Sequence, residues 1–274
     1  MSPAPKRPLG QHFLRDTGII DRIARLFQPS REDLVLEIGA GDGAISERIA
    51  PHVANLVAIE IDRECTMPLR ERLSPFDHAA VLNADILKLD LKEVLSCYPA
   101  NRRIRILGNL PYYIATAIIE QMLRLELPIF DMLYMVQLEV AERITASPGS
   151  GRYGYFSVCC QHFARAQMGF KIAPHCFVPK PKVVSAMIRL VPKSSKWERG
   201  SDDCFIELAK AAFAYRRKKL VNSLKRNPKF GPDAEALLAA GAISGHLRAQ
   251  DISVDEYERL PFLYQQLQVR QDRA

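Results

Sequence analysis

Asn109-Leu110-Pro111-Tyr112 places an amide, a proline and a phenol after an apolar run, Ile104-Arg105-Ile106-Leu107, and before a helix-like segment from Ala115 to Leu123. In open α/β sheets the strand-to-helix junction is the ligand-binding end. An asparagine offers both an acceptor and a donor, a proline stiffens the turn, and a tyrosine ring can stack on a flat base. Taken alone, the tetrapeptide also fits an ordinary proline-containing loop.

A second constellation lies upstream. Gly39-Ala40-Gly41-Asp42-Gly43-Ala44 matches the G-x-G-x-x-A form of the dinucleotide fingerprint, with Glu60 about the expected distance downstream. Glycines let backbone approach a ligand, and a strand-end carboxylate accepts from ribose hydroxyls. That much suits NAD as well as any other adenosine cofactor. Two residues tilt the balance towards S-adenosylmethionine. Glu37, within the preceding strand, sets a negative charge near where a pyrophosphate would lie, and Asp85, closing the third strand, is placed to accept from an adenine amine. The competing account of Glu60 and Asp85 is that they only cap helices.

These residues need a scaffold, and the apolar periodicity supplies one. Strands are expected at Leu34–Ile38, Asn55–Ile61, Ala79–Leu82, Ile104–Leu107 and Met132–Val136, with helical stretches at Ala44–Ala50, Asp62–Leu73, Ala115–Leu123 and Glu139–Thr145. Asp16 is expected to cap a first helix that carries Ile19, Ile20, Ile23, Ala24 and Phe27. That alternation means an α/β fold with a mainly parallel sheet covered on both faces. Ser147–Gly151 breaks the pattern as a loop; Gln167–Ile172 and Val183–Val191 read as further strands. Between those two strands, Pro174 to Pro181 is expected to be extended, because each proline restricts the residue before it. Composition shifts at the polar stretch Pro192–Asp202, so the expected division is 1–192 and 193–274, the second part small and all-helical.

Composition bounds the class. With 274 residues, 48% hydrophobic and 25% charged, the chain reads as a soluble globular protein. A formal charge of +7 favours a polyanionic partner. The six cysteines show no zinc-ligand spacing, so no metal is expected and reduced thiols in the cytoplasm are the expectation. Neither a secretory leader nor a bilayer-length apolar run is evident, so no membrane association is expected.

Six motifs in order carry a resemblance. They are Leu9-Gly10-Gln11-His12-Phe13-Leu14, Glu37-Ile38-Gly39-Ala40-Gly41, Glu60 with Asp85, Asn109-Leu110-Pro111-Tyr112, Phe177-x-Pro179-x-Pro181-Lys182-Val183 and Phe213-Ala214-Tyr215-Arg216-Arg217-Lys218. Together they closely resemble the ribosomal RNA adenine N6,N6-dimethyltransferases, and within them the bacterial small-subunit enzymes. The resemblance runs from about Leu9 to the last helices. It implies a Rossmann-like S-adenosylmethionine-dependent methyltransferase sheet and a helical C-terminal domain that binds RNA and the ribosome. It also implies a substrate: two adjacent adenosines in the 3′-terminal hairpin of 16S rRNA within the assembling small subunit, modified by a monomer.

The resemblance further implies residue roles. His12, Leu14, Gly39, Glu60, Asp85 and Asn109 would hold the cofactor, with His12 standing where the family usually has asparagine, and Ala117 where many relatives have proline. Asn109 and the Leu110 carbonyl would orient the adenine amine, Pro111 would hold the turn, and Tyr112 and Phe177 would grip a flipped-out base, against the alternative that Phe177 is plain core. Arg216, Arg217, Lys218 and Lys219 would meet RNA phosphates from a helix face, against the alternative of a solvated charge run. Competing readings are an assembly factor in which methylation is secondary, a large-subunit methyltransferase of the erythromycin-resistance type, and a nucleotide-dependent oxidoreductase.

Overall fold

The apolar runs become the strands of a seven-stranded sheet. The computed structural model describes residues 11–193 and 201–271. Leu9 and Gly10 of the first motif, and 194–200 of the polar stretch, lie outside the described residues. Strands β2 (Asp33–Ile38), β3 (Asn55–Glu60), β4 (Ala79–Asn83), β5 (Arg103–Asn109) and β6 (Ile129–Gln137) pair in parallel, and β9 (Ser185–Pro192) runs antiparallel to β6. With β7 (Ala164–Ile172) at the edge, the order is β4-β3-β2-β5-β6-β9-β7. Two short segments, β1 (Phe13–Leu14) and β8 (Phe177–Val178), pair separately and antiparallel.

This order explains why the motifs converge. The chain winds from β2 to β3 in one direction and later returns to the other side of β2 with β5. Ligands bind in the crevice at such a reversal, outside the carboxyl ends of the strands. Ile38 is in register with Gly108 and Glu60 with Asn83, so the loops after β2, β3, β4 and β5 emerge at the same end.

The helices follow local chemistry. In α1 (Thr17–Phe27), the expected Asp16 cap accepts from the Ile19 amide at 3.0 Å, and Ile20, Ile23 and Phe27 are buried. Helix α2 (Ala44–Ile49) starts from the glycine loop, and α3 (Arg63–Leu73) is capped by Asp62. Helix α5 (Ala115–Leu123) buries Ile118, Ile119 and Met122. Two helices were not read from the sequence: α4 (Leu91–Ser96), capped by Asp90, and α7 (Tyr155–Phe163); α6 is Leu138–Ile144. The segment expected to be extended from Pro174 instead makes a 3-10 turn at Pro174–Cys176 before β8. Proline suits that first position because its φ is preset and its missing N–H has no partner to satisfy there.

At the sheet end opposite the crevice, Arg105 is buried in β5. Its Nε and Nη2 donate to Asp131 at 2.6 and 2.9 Å, Nη1 donates to Asp33 at 3.1 Å, and the Gln28 and Phe27 carbonyls accept at 3.0 and 2.7 Å. All five guanidinium donors are thus used. The group also lies 4.0 Å from the Phe27 ring centroid. One residue fastens β2, β5, β6 and the end of α1.

The described chain groups into two compact units. One takes the chain up to Ala141 and Gln167–Pro192; the other takes Glu142–Ala166 and the chain from Lys193 on. The stretch Glu142–Ala166 therefore groups with the C-terminal helices, which the division at Pro192 had not anticipated. Within that second unit, Val158 and Cys159 of α7 share a core with Phe205 and Leu208 of α8 (Ser201–Phe213), Leu224 of α9 (Leu220–Leu224), Leu237 of α10 (Ala234–Ala240) and Tyr257 of α11 (Val254–Gln271). Ser253 and Glu256 cap α11 reciprocally. No described helix is long and apolar enough to cross a membrane.

Candidate active site

A partly open cleft lies at the crevice. His12, Gly39, Glu60, Asp85, Asn109, Leu110, Pro111 and Tyr112 all line it, joined by Tyr113. The structure thereby brings together eight of the predicted site residues from five separate segments: the chain before β1 and the carboxyl ends of β2, β3, β4 and β5.

Gly39 follows β2 with φ +71°, and a Cβ there would sit 2.8 Å from the Asn109 backbone oxygen. Only glycine permits both that conformation and that approach. The absent side chain is what lets the two loops close on each other.

Glu60 is almost fully buried. Its two carboxylate oxygens accept from the Gly41 amide at 2.8 Å and the Asp62 amide at 2.9 Å. Burial raises its pKa, and these backbone donors oppose the rise. Each oxygen retains a lone pair for a hydroxyl donor. Asp85 spends Oδ1 on the Leu87 amide at 3.0 Å, which is the capping role; Oδ2 lies 3.8 Å from exposed Lys88.

Asn109 donates from Nδ2 to the His12 carbonyl at 3.2 Å. A carbonyl only accepts, so the amide must present its nitrogen there and keep Oδ1 as its acceptor. Tyr112 is half-buried, with its hydroxyl 2.6 Å from the Ser185 Oγ and its ring 5.5 Å from that of His12. Burial pushes the phenol's pKa up, so it stays protonated. Tyr113, next in the chain, is 57% exposed.

Three expectations change. Glu37 is buried outside the cleft, where it accepts from the Ser46 hydroxyl, and burial pushes its pKa up to about 8. It does not face the cleft, so it sets no charge against a pyrophosphate there. Leu14 and Phe177 do not line the cleft: both are buried in the core, opposite each other in the β1–β8 pair. Phe177 would have to leave that packing to meet a base. The basic run is not on a helix either. Helix α8 ends at Phe213, and 214–219 form the turn before α9. There Arg216 donates to the Tyr153 carbonyl at 3.1 Å, and Lys219 lies 3.0 Å from the His246 Nδ1. Arg217 and Lys218 are exposed.

The model of the ribosomal RNA adenine dimethylase family matches residues 4–265. The chain belongs to the ribosomal RNA adenine dimethylase family. A "Ribosomal RNA small subunit methyltransferase A" of Bacillus pumilus is 36% identical over 261 residues, covering 93% of this chain and 89% of that protein. The protein of the same name from Lactococcus lactis is 34% identical over 261 residues, covering 93% and 88%. Among solved structures, a dimethyladenosine transferase from Plasmodium falciparum shares the fold, with a TM-score of 0.78 at 21% identity over 93% of this chain and 98% of that one. The 23S rRNA methyltransferase ErmE gives a TM-score of 0.70 at 25% identity, covering 92% and 99%.

This dimethylase is accordingly a Rossmann-like rRNA adenine dimethyltransferase whose substrate is rRNA and whose methyl donor is S-adenosylmethionine. When bound, that cofactor supplies a methyl group on a sulfonium leaving group. The residues present fit it. Glu60 has acceptors left for ribose hydroxyls, and the glycine loop offers close backbone approach. Asp85 lines the same cleft with an oxygen to spare for an adenine amine.

Proposed function

We propose that the dimethylase transfers methyl groups to N6 of two adjacent adenosines in the 3′-terminal hairpin of small-subunit (16S) rRNA. It does so on the assembling subunit, as a cytoplasmic monomer. The observation that carries the chemistry is the Asn109 amide at the cleft wall, fixed by its Nδ2 bond to the His12 carbonyl, which leaves Oδ1 as its acceptor. The kinship with small-subunit methyltransferases supports the choice of RNA.

An adenine N6 is a poor nucleophile because its lone pair is delocalised into the ring. No strong base is needed, since the proton becomes acidic only as the N–C bond forms. Asn109 Oδ1 and the Leu110 carbonyl accept from the two N–H bonds and favour a pyramidal nitrogen, which is catalysis by positioning and electrostatics. Tyr112, fixed through its hydroxyl, offers its ring to the extruded base. Such stacking is worth ~1–3 kcal/mol, enough to offset part of the unstacking. Glu60 and Asp85 hold the ribose and adenine of the cofactor.

The test is to incubate the protein and S-adenosylmethionine with undermethylated small subunits and, in parallel, with unmodified large subunits, and to map the modified adenosines. Two neighbouring N6,N6-dimethyladenosines near the 3′ end are expected. Modification confined to large-subunit RNA would transfer the reading to the erythromycin-resistance type.

Arg216, Arg217, Lys218 and Lys219 meet RNA phosphates, and in the structure Arg217 and Lys218 are the pair in this run least committed elsewhere. Replacing both by glutamine is expected to weaken RNA binding and to reduce the slope of log K against log salt by up to about 2. A slope identical to that of the parent would leave the turn a merely solvated surface.

A further inference from the structure

We propose that His12 is a positioning residue for methyl transfer. It fixes the direction of the Asn109 amide and backs the Tyr112 ring, so its role is distinct from holding the cofactor. The inference deepens the proposed adenine N6 chemistry and rests on it for the reaction measured.

Three contacts meet on this half-buried residue. Its Nδ1 lies 2.7 Å from the Pro179 carbonyl. Because a carbonyl only accepts, Nδ1 carries the proton and donates. That bond ties the chain just before β1 to the loop just after β8, beyond the pairing of Phe13 with Val178 and Leu14 with Phe177. The His12 backbone carbonyl, held in place by this tie, receives the Asn109 Nδ2 at 3.2 Å. Last, the imidazole and the Tyr112 ring lie 5.5 Å apart, tilted by 31°.

The consequence is a chain of orientation. Pro179 holds the imidazole, the imidazole holds the segment's carbonyl, and that carbonyl takes Nδ2 of Asn109 and so fixes which end of the amide is left to accept. The imidazole also stands beside a tyrosine whose hydroxyl is already tied to Ser185, so ring and hydroxyl are both fixed. An opposing wall was expected from Phe177, but Phe177 is buried in the core, and the ring that meets Tyr112 belongs to His12. Histidine supplies a ring and an N–H donor together. An amide side chain here would keep a donor but bring no ring.

Four proteins separate the two properties: the parent, His12→Ala, His12→Gln, which keeps an N–H donor, and His12→Phe, which keeps a ring. Single-turnover methylation of undermethylated small subunits gives the rate, calorimetry with S-adenosylmethionine gives cofactor affinity, and thermal melting reports folding. In His12→Ala the rate is expected to fall roughly 10- to 100-fold, the size of effect that about 1 Å of misplacement produces. Cofactor affinity should stay within about 3-fold, and His12→Gln should recover more of the rate than His12→Phe, because the Pro179 tie sets the Asn109 amide. An unchanged rate in His12→Ala overturns the proposal. So does a cofactor affinity that falls in step with the rate, which makes His12 a cofactor ligand. If His12→Ala fails to fold, the Gln-over-Phe order decides: the reverse order or equality overturns it. Failure of the parent itself to methylate small subunits would overturn the underlying reading, and is distinct from each of these.

Discussion

Asn109→Ala is expected to slow methyl transfer by roughly 10²- to 10³-fold, the range seen when one preorganised polar partner of a reacting centre is removed. Folding should be barely affected, because the side chain makes one described hydrogen bond, from Nδ2 to the His12 carbonyl, at the edge of a cleft. The loss should fall mainly on the rate at saturating RNA, since Oδ1 acts most strongly as the N–C bond forms and the N–H bonds become acidic. RNA affinity, read from a filter-binding titration without cofactor, should stay near that of the parent. A variant with parental rate would remove Asn109 from the chemistry. The same variant separates enzyme from assembly factor: normal subunit maturation with no methylation would make catalysis secondary.

The second large effect concerns stability. Arg105→Met leaves the Asp33 and Asp131 carboxylates facing an apolar side chain, both with side chains at most 1% exposed. Breaking a buried ion pair from one side costs roughly 3–5 kcal/mol. For a unit of this size that corresponds to a fall in Tm of about 10 °C. The triple variant Arg105→Met with Asp33→Asn and Asp131→Asn should recover part of the loss, because the penalty comes from uncompensated charge. Arg103 and Arg189, which also pair with these aspartates, are 31% and 24% exposed and can turn to water. If the single and triple variants melt together, packing of the guanidinium stem explains the loss better than charge.

How far the sequence reached depends on what kind of signal each residue leaves. Strands β2 to β6 were legible because buried parallel strands read as apolar runs ending in polar residues. That same ending exposed Glu60, Asp85 and Asn109, each at or just past a strand's carboxyl end. Helices α4 and α7 were not read. The first is six residues, too short for a periodic signal, although Asp90 and Glu93 stand at capping-box spacing. The second is rich in aromatic residues and cysteine, which favour neither period clearly.

Arg105 passed unremarked inside an apolar run. Its partners lie 26 and 72 residues away in sequence, and no local pattern announces a charge satisfied at such range. The basic run was legible as charge and misplaced as structure, since a stripe at helical spacing does not reveal that the helix ends at Phe213. Phe177 failed for a related reason. An aromatic among prolines suits a binding wall or a core equally, and pairing with the Leu14 strand put it in the core.

Glu60 carries a consequence for how this protein can change over time. Its two oxygens already hold the amides of Gly41 and Asp62, so the residue that would bind ribose also shapes the loops on either side of it. Glutamine would turn an NH₂ towards one of those N–H groups, and aspartate would fall a methylene short of both. Cofactor preference at this position therefore cannot drift by single conservative steps: any replacement must refold the glycine loop before it can select a different ligand.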